Sequence, residues 1–132
     1  MSGDLPLPGE VGEHFFHLAK QPLNIGRLEN PSGQGDSTGQ CGDSVEVFLQ
    51  VTEGTISEIK VAPRGCIYTV VCASAMSELV KGKSLDEVLY LEPDDIVAVL
   101  GGLPEDHMHC ARLAVNTLGE AIADYYEKTS GR

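Results

Sequence analysis

Two alternating runs separated by a tight turn set the first limit on this chain. Val45, Val47, Leu49 and Val51 recur at every second position of 44–51, with Ser44, Glu46 and Gln50 among the residues between them. A period of two puts the apolar set on one face of a pleated strand and the polar set on the other. Thr52-Glu53-Gly54 reads as a turn, and 55–62 resumes as a second strand with Ile59 and Val61 on one face. The pair is a β-hairpin, and a third short strand is expected near the bend at Pro63, Arg64 and Gly65.

Beyond the hairpin the chain is helical. Residues 67–81 are apolar, with Val71, Ala75 and Leu79 at i, i+4, i+8. Ser84 and Glu87 form a capping-box pair for a short helix reaching Tyr90. Pro93 suits a first helical position, and the next helix stops at Gly101-Gly102. Pro104 is expected to open the last helix, with Leu113, Thr117, Ala121 and Ile122 facing inward and the pattern fading after Tyr126. Before the hairpin, 11–20 reads as a short helix through Val11, Phe15 and Leu18. The chain from Gln21 to Gln40 reads as loop, because Pro22, Pro31 and several glycines interrupt it. Strands first and helices later, without βαβ alternation, predict an α+β fold. It is a small antiparallel β-sheet of about three strands with helices packed on one face.

With 132 residues the chain suits one domain. The expected organisation is a flexible segment over 1–10, the domain over 11–127 and a flexible tail over 128–132. Nine basic against twenty acidic residues leave a net charge of −11, which disfavours nucleic acid and anionic membranes as partners. No apolar run approaches the roughly 18 residues of a membrane span, and no signal peptide is read, so a cytoplasmic location is expected. In that compartment four cysteines are more consistent with reduced thiols for metal binding or catalysis than with two disulfides.

Three of the cysteines have settings that suit ligation. Cys41 opens Cys41-Gly42-Asp43, where Gly42 permits close backbone approach and Asp43 adds a carboxylate. Cys66 follows Gly65 where an extended run meets a helix, and helix N-termini stabilise thiolates. Cys110 follows His109 in the last helix; adjacent helical residues point about 100° apart, so both reach one metal only if the backbone bends. Thiolates, an imidazole and one carboxylate suit iron or zinc rather than calcium or magnesium. Against each stands a plainer reading: a turn cysteine, a core thiol at a strand end, a satisfied histidine. Cys72, in Val70-Val71-Cys72-Ala73, reads as core packing. As a resolving thiol for Cys66 it would sit about 9 Å along the helix, beyond disulfide reach unless the first turn unwinds. His14 and His17 read as a solvated edge, and His107 as exposed near the helix start.

Taken in order, Cys41-Gly42-Asp43, Gly65-Cys66 and His109-Cys110 resemble the NifU/IscU-type iron–sulfur cluster assembly scaffolds, of SufE/NifU-like fold. Phe15 to Gly26, Val80-Lys81-Gly82-Lys83-Ser84 and the Ala121 to Tyr125 stretch are also similar, so the likeness covers about 11–127. The resemblance implies a non-enzymatic scaffold and carrier. A cysteine desulfurase supplies persulfide sulfur, iron and electrons join it, and a 2Fe-2S cluster forms and passes to apo iron–sulfur proteins. A ferredoxin or frataxin-like protein is a further candidate partner, and zinc is a substitute metal. The implied ligands are Cys41, Asp43, Cys66, and Cys110 or His109. Cys110 is implied as the sulfur acceptor, and Asp43, a harder and weaker partner for a soft cluster, as the residue that eases release.

The chain also departs from the family. Members served by a dedicated chaperone carry Leu-Pro-Pro-Val-Lys where this chain has Leu103-Pro104-Glu105-Asp106-His107, which argues against that contact. Cys72 stands where many relatives have Ser. A zinc-binding sulfur acceptor that activates a desulfurase is the first alternative, although that branch carries an insertion for which 91–109 leaves no room. A thiol redox protein using Cys66 and Cys72 is the second.

Overall fold

The computed structural model describes residues 6, 9–39 and 42–130. Cys41 therefore lies outside the described residues, as does most of the 1–10 segment and the end of the 128–132 tail. The hairpin is as expected. Strand β2 (Ser44–Thr52) pairs antiparallel with β3 (Thr55–Arg64), placing Val47 opposite Val61 and Leu49 opposite Ile59, with one irregularity between Gln50 and Val51. Glu53 and Gly54 between them both have positive φ, +52° and +77°. That pair of angles is what a two-residue turn needs to match the twist of its strands. Val45, Val47, Leu49, Ile59 and Val61 are all buried on the inner face. Phe48 faces the other way and is covered by the Arg27 guanidinium, 5.3 Å above its ring.

The third strand lies where the residue pattern predicts a loop. Strand β1 (Gly33–Thr38) pairs antiparallel with β2, giving the order β1-β2-β3, and no strand follows the bend at Gly65 among the described residues. β1 has no apolar alternation because its inner positions are glycines. A Cβ on Gly33 would lie 2.3 Å from the Ala121 carbonyl oxygen, and one on Gly35 would lie 2.6 Å from the Ala121 nitrogen. Backbone meets backbone there, so the strand needs no large side chain to be buried.

Among the described residues there are five α-helices, α1 (Glu13–Lys20), α2 (Ile67–Val80), α3 (Leu85–Val88), α4 (Pro93–Leu100) and α5 (Met108–Ser130), of which α2 and α5 pack on the sheet. Helix α2 is apolar on nearly every side and runs through the centre, touching β3, α1, α4 and α5. Two of its buried hydroxyls are held by the 21–26 strap: the Leu23 N–H donates to Ser74 Oγ at 2.6 Å, and the Asn24 amide donates to Ser77 Oγ at 2.9 Å. The Ser84–Glu87 capping box starts α3 as expected. Pro93 opens α4, and Gly101 closes it in the left-handed region, φ +74°.

Helix α5 differs from expectation at both ends. Pro104 opens a 3-10 turn over Glu105–His107, closed by the His107 N–H on the Pro104 carbonyl at 2.9 Å, and the α-helix starts only at Met108. Cys110 therefore sits in the first turn of α5 rather than the second. At the other end the helix runs to Ser130, past the fading of its inward stripe at Tyr126. Leu113, Thr117, Ala121 and Ile122 are buried as that stripe predicts.

Candidate functional site

The start of α2, the start of α5 and Asp43, just before β2, meet at one end of the sheet. Cys66 N-caps α2, its backbone extended at ψ 173° and its carbonyl accepting from the Thr69 and Val70 N–H groups at 3.0 and 3.2 Å. The thiol is exposed. The Gly39 N–H donates to the Asp43 carbonyl at 2.7 Å, and the Asp43 carboxylate lies beside Cys66. Gly65 makes room for that carboxylate: a Cβ there would fall 2.5 Å from Asp43 Cγ. The Gly65-Cys66 pair thus serves two purposes, clearance for the carboxylate and a helix-cap position for the thiol.

One hydroxyl joins the cluster. Thr69 Oγ1 donates to Asp43 Oδ2 and stands 3.7 Å from Cys66 Sγ and 3.5 Å from Cys110 Sγ. The Cys66 thiol also reaches Asp43 Oδ2, at 3.6 Å. Cys110, unlike Cys66, is buried at 1% exposure. Burial pushes its thiol up to about 12; the nearby Cys66 and Asp43 add to the rise, and the Thr69 contact pulls the other way. Cys72, fully buried one turn deeper, is pushed up further by burial and then by Cys110 and Cys66. The intact first turn of α2 keeps Cys66 and Cys72 about six helical rises apart, roughly 9 Å, and so does not favour a disulfide between them.

The two histidines beside Cys110 part company. His109 lines a separate groove of about 770 Å³ with Ser37, Thr38, Arg112, Asn116 and Glu120. His107, expected from the sequence to be exposed, is half-buried and lies flat on the Tyr68 ring, centroids 3.6 Å apart and planes within 8°. Its ring nitrogen, Cys66 Sγ and Cys110 Sγ all lie within 4.8 Å of one another. The sequence held a signal for this: His107 and Cys110 are spaced i, i+3, which shares a face, whereas His109 is turned about 100° from Cys110. Among the described residues, then, Asp43, Cys66 and Cys110 lie together with His107, and His109, its ring 6.1 Å from that of His107, lines the neighbouring groove. Two sulfurs and an imidazole are a donor set for zinc or iron.

Over residues 10–131 the sequence matches the NifU-like N-terminal domain family. The chain belongs to that family. It is 35% identical over 120 residues to the iron-sulfur cluster assembly scaffold protein IscU 1 of Archaeoglobus fulgidus, covering 90% of this chain and 76% of that one. The scaffold protein IscU of Aquifex aeolicus is 34% identical over 122 residues, covering 90% of this chain and 75% of that one. The crystal structure of a NifU-like N-terminal protein from Brucella abortus superposes with a TM-score of 0.68 at 20% identity, covering 89% of this chain and 94% of that one. That likeness establishes a shared NifU-like architecture of three antiparallel strands and covering helices. In keeping with the absence of a long apolar run, no helix among the described residues of this NifU-like chain is long and apolar enough to cross a membrane.

Proposed function

We propose that this chain is a scaffold on which an iron–sulfur cluster is assembled and from which it passes to apo-proteins. The observation that carries the proposal is the convergence of Asp43, Cys66 and Cys110 around Thr69, in a family whose members at 35% identity are named as assembly scaffolds. Cys41 completes the proposed set by its place in Cys41-Gly42-Asp43. The cluster is cargo, and the chain acts as a carrier rather than a catalyst.

In this reading a cysteine desulfurase presents a persulfide, and the Cys110 thiolate attacks its outer sulfur. A new S–S bond forms on Cys110 while the donor's S–S bond breaks, and the donor cysteine leaves as thiolate. Two electrons from a ferredoxin-like reductant convert each transferred sulfur to sulfide, and iron joins it as a 2Fe-2S cluster. The raised Cys110 pKa means that this thiol becomes a nucleophile only when its burial is relieved or a metal displaces its proton. A net charge of −11 favours encounter with basic partner surfaces.

Anaerobic reconstitution with iron and sulfide tests the reading. A visible chromophore should form, and Cys→Ala at 41, 66 or 110 should abolish it, while Cys72→Ser leaves it intact. A chromophore indifferent to those three changes removes the scaffold reading. One abolished by Cys72→Ser alone supports thiol redox chemistry instead, and zinc binding with no chromophore supports a sulfur acceptor. Asp43→Ala should slow release of a reconstituted cluster to an apo-ferredoxin; release at the wild-type rate would show that the carboxylate does not govern exit.

A further inference from the structure

We propose that the apolar groove between the end of α2, α3 and α4 is a docking site for a basic amphipathic segment of a partner protein. Leu79, Val80, Leu91 and Val99 line this groove, whose volume is about 510 Å³. Val88 and Leu91 also line a second hollow, of about 150 Å³, which continues the apolar surface to Leu118 and Ile122 of α5. Tyr90 stands on the larger hollow and Leu89 on the smaller. They are 81% and 62% exposed, more than any other large apolar side chain among the described residues. A single exposed apolar side chain is ordinary, but two in succession on joined apolar hollows are the pattern of a contact surface.

Charge selects the occupant. Glu87 and Asp95 line the larger hollow, and Asp86, Glu92 and Asp94 are exposed in the same stretch of chain. Lys83 is the one base over 83–99. The Glu87 and Asp95 carboxylates accept from the Ser84 and Glu92 N–H groups at 3.0 and 2.8 Å, which fixes their positions and leaves their negative charge at the rim. A second copy of this chain would set the same acids against them, and an anionic membrane would be repelled in the same way. A helix with an apolar stripe flanked by Lys and Arg matches both the groove and its rim. The groove lies at the opposite end of α2 from Cys66, thirteen helical rises or roughly 20 Å away. A segment held there leaves the thiols open, and the docking site does not depend on the scaffold reading.

The probe is a synthetic leucine–lysine peptide with leucine at i, i+3, i+4 and i+7, titrated into the full-length chain beside a control peptide of the same composition whose leucines are scattered around the helix. The periodic peptide should bind more tightly than the control, and in NMR spectra of the unmutated chain it should move amide resonances over 79–99. Tyr90→Ala should weaken it at least about tenfold, and Leu89→Ser less. Both side chains are mostly in solvent, so circular dichroism should stay as in the wild type. Glu87→Gln combined with Asp95→Asn keeps the cap acceptors and removes two charges; it should weaken binding about threefold and flatten its salt dependence. Iodoacetamide should label Cys66 equally fast with and without the peptide. Equal affinity for the two peptides, or resonance shifts outside 79–99 alone, would overturn the proposal, because charge alone would then be the attraction. Sedimentation showing self-association that Leu89→Ser abolishes would assign the groove to a second copy instead. Tyr90-dependent binding to phosphatidylglycerol vesicles would assign it to a lipid surface.

Discussion

The starts of α2 and α5 deliver the same chemical group to the same place in opposite states. Cys66 caps α2 with its thiol in solvent, whereas Cys110 sits in the first turn of α5 at 1% exposure. Both sulfurs stand within 3.7 Å of the same Thr69 hydroxyl, so proximity does not separate them. What separates them is packing. A cap position lies outside the helix cylinder, while the first turn of α5 is pressed onto α2 and the sheet. One thiol is thus available before any metal arrives, and the other becomes available only through movement or loss of its proton.

The largest effect expected from this difference is in thiol reactivity. A thiol with a pKa of about 12 holds roughly a thousandth of the thiolate of an ordinary one at neutral pH, and burial slows reagent access further. In the metal-free chain, iodoacetamide followed by peptide mapping should label Cys66 at least about tenfold faster than Cys110, since the higher intrinsic nucleophilicity of a high-pKa thiolate offsets part of the ionisation deficit. Comparable rates would mean that the first turn of α5 opens freely, and the contrast would disappear.

The same burial should appear in the pH dependence of stability. The Cys110 thiol titrates near 9.0 when unfolded and is raised to about 12 in the fold. The unfolded chain therefore loses this proton first, and its charged form is favoured over the fold. The contribution is fully present below about pH 9 and is lost as pH rises toward 12. Denaturation midpoints of the metal-free chain should be flat with respect to this group below 9 and fall above it. Cys110→Ala should reduce that fall, although the buried Cys72, raised in the same direction, keeps part of it. An alkaline slope unchanged in the variant would place the titration elsewhere.

Much of this arrangement is legible in the residues, and the exceptions have physical causes. The hairpin is legible because Val45, Val47, Leu49, Ile59 and Val61 alternate, and the capping box because Ser84 and Glu87 state it in side chains. Strand β1 is not, because periodicity is carried by side chains and Gly33 and Gly35 have none to show. Asp43, Cys66 and Cys110 are legible as motifs. His107 is legible only as an i, i+3 spacing to Cys110, because no local pattern records the Tyr68 ring on which it lies. Thr69 passes as one more residue of an apolar helix, since only the fold reveals that its hydroxyl meets two distant side chains, Asp43 and Cys110, beside the nearby Cys66.

A change far from either thiol should sharpen the contrast. Gly35→Ala places a methyl 2.6 Å from the Ala121 backbone nitrogen and 2.7 Å from Glu120 Cβ. The helix must lift off the sheet, at a cost of about 1–3 kcal/mol against the modest gain of a stiffer unfolded chain. Urea denaturation should register that loss. Because the displaced element is α5, Cys110 should also become faster to alkylate while Cys66 keeps its rate. If both thiols responded equally, the two helix starts would be moving as one unit.

The smallest effect is expected from Thr69→Val, which keeps shape and removes only the hydroxyl. Asp43 loses a donor but is half-buried, so water can replace it and the cost should be about 1 kcal/mol in urea denaturation. The effect on the two thiols should be unequal. The hydroxyl contact lowers the Cys110 pKa against the pull of burial, so its removal leaves that thiol even less ionised and slower to alkylate. Cys66 is exposed and meets the hydroxyl only at 3.7 Å, so its rate should barely change. The gap between the two thiols should therefore widen even as the fold weakens, the reverse of what Gly35→Ala does. Faster alkylation of Cys110 in Thr69→Val would show that the hydroxyl secures the first turn of α5 more than it tunes the thiol.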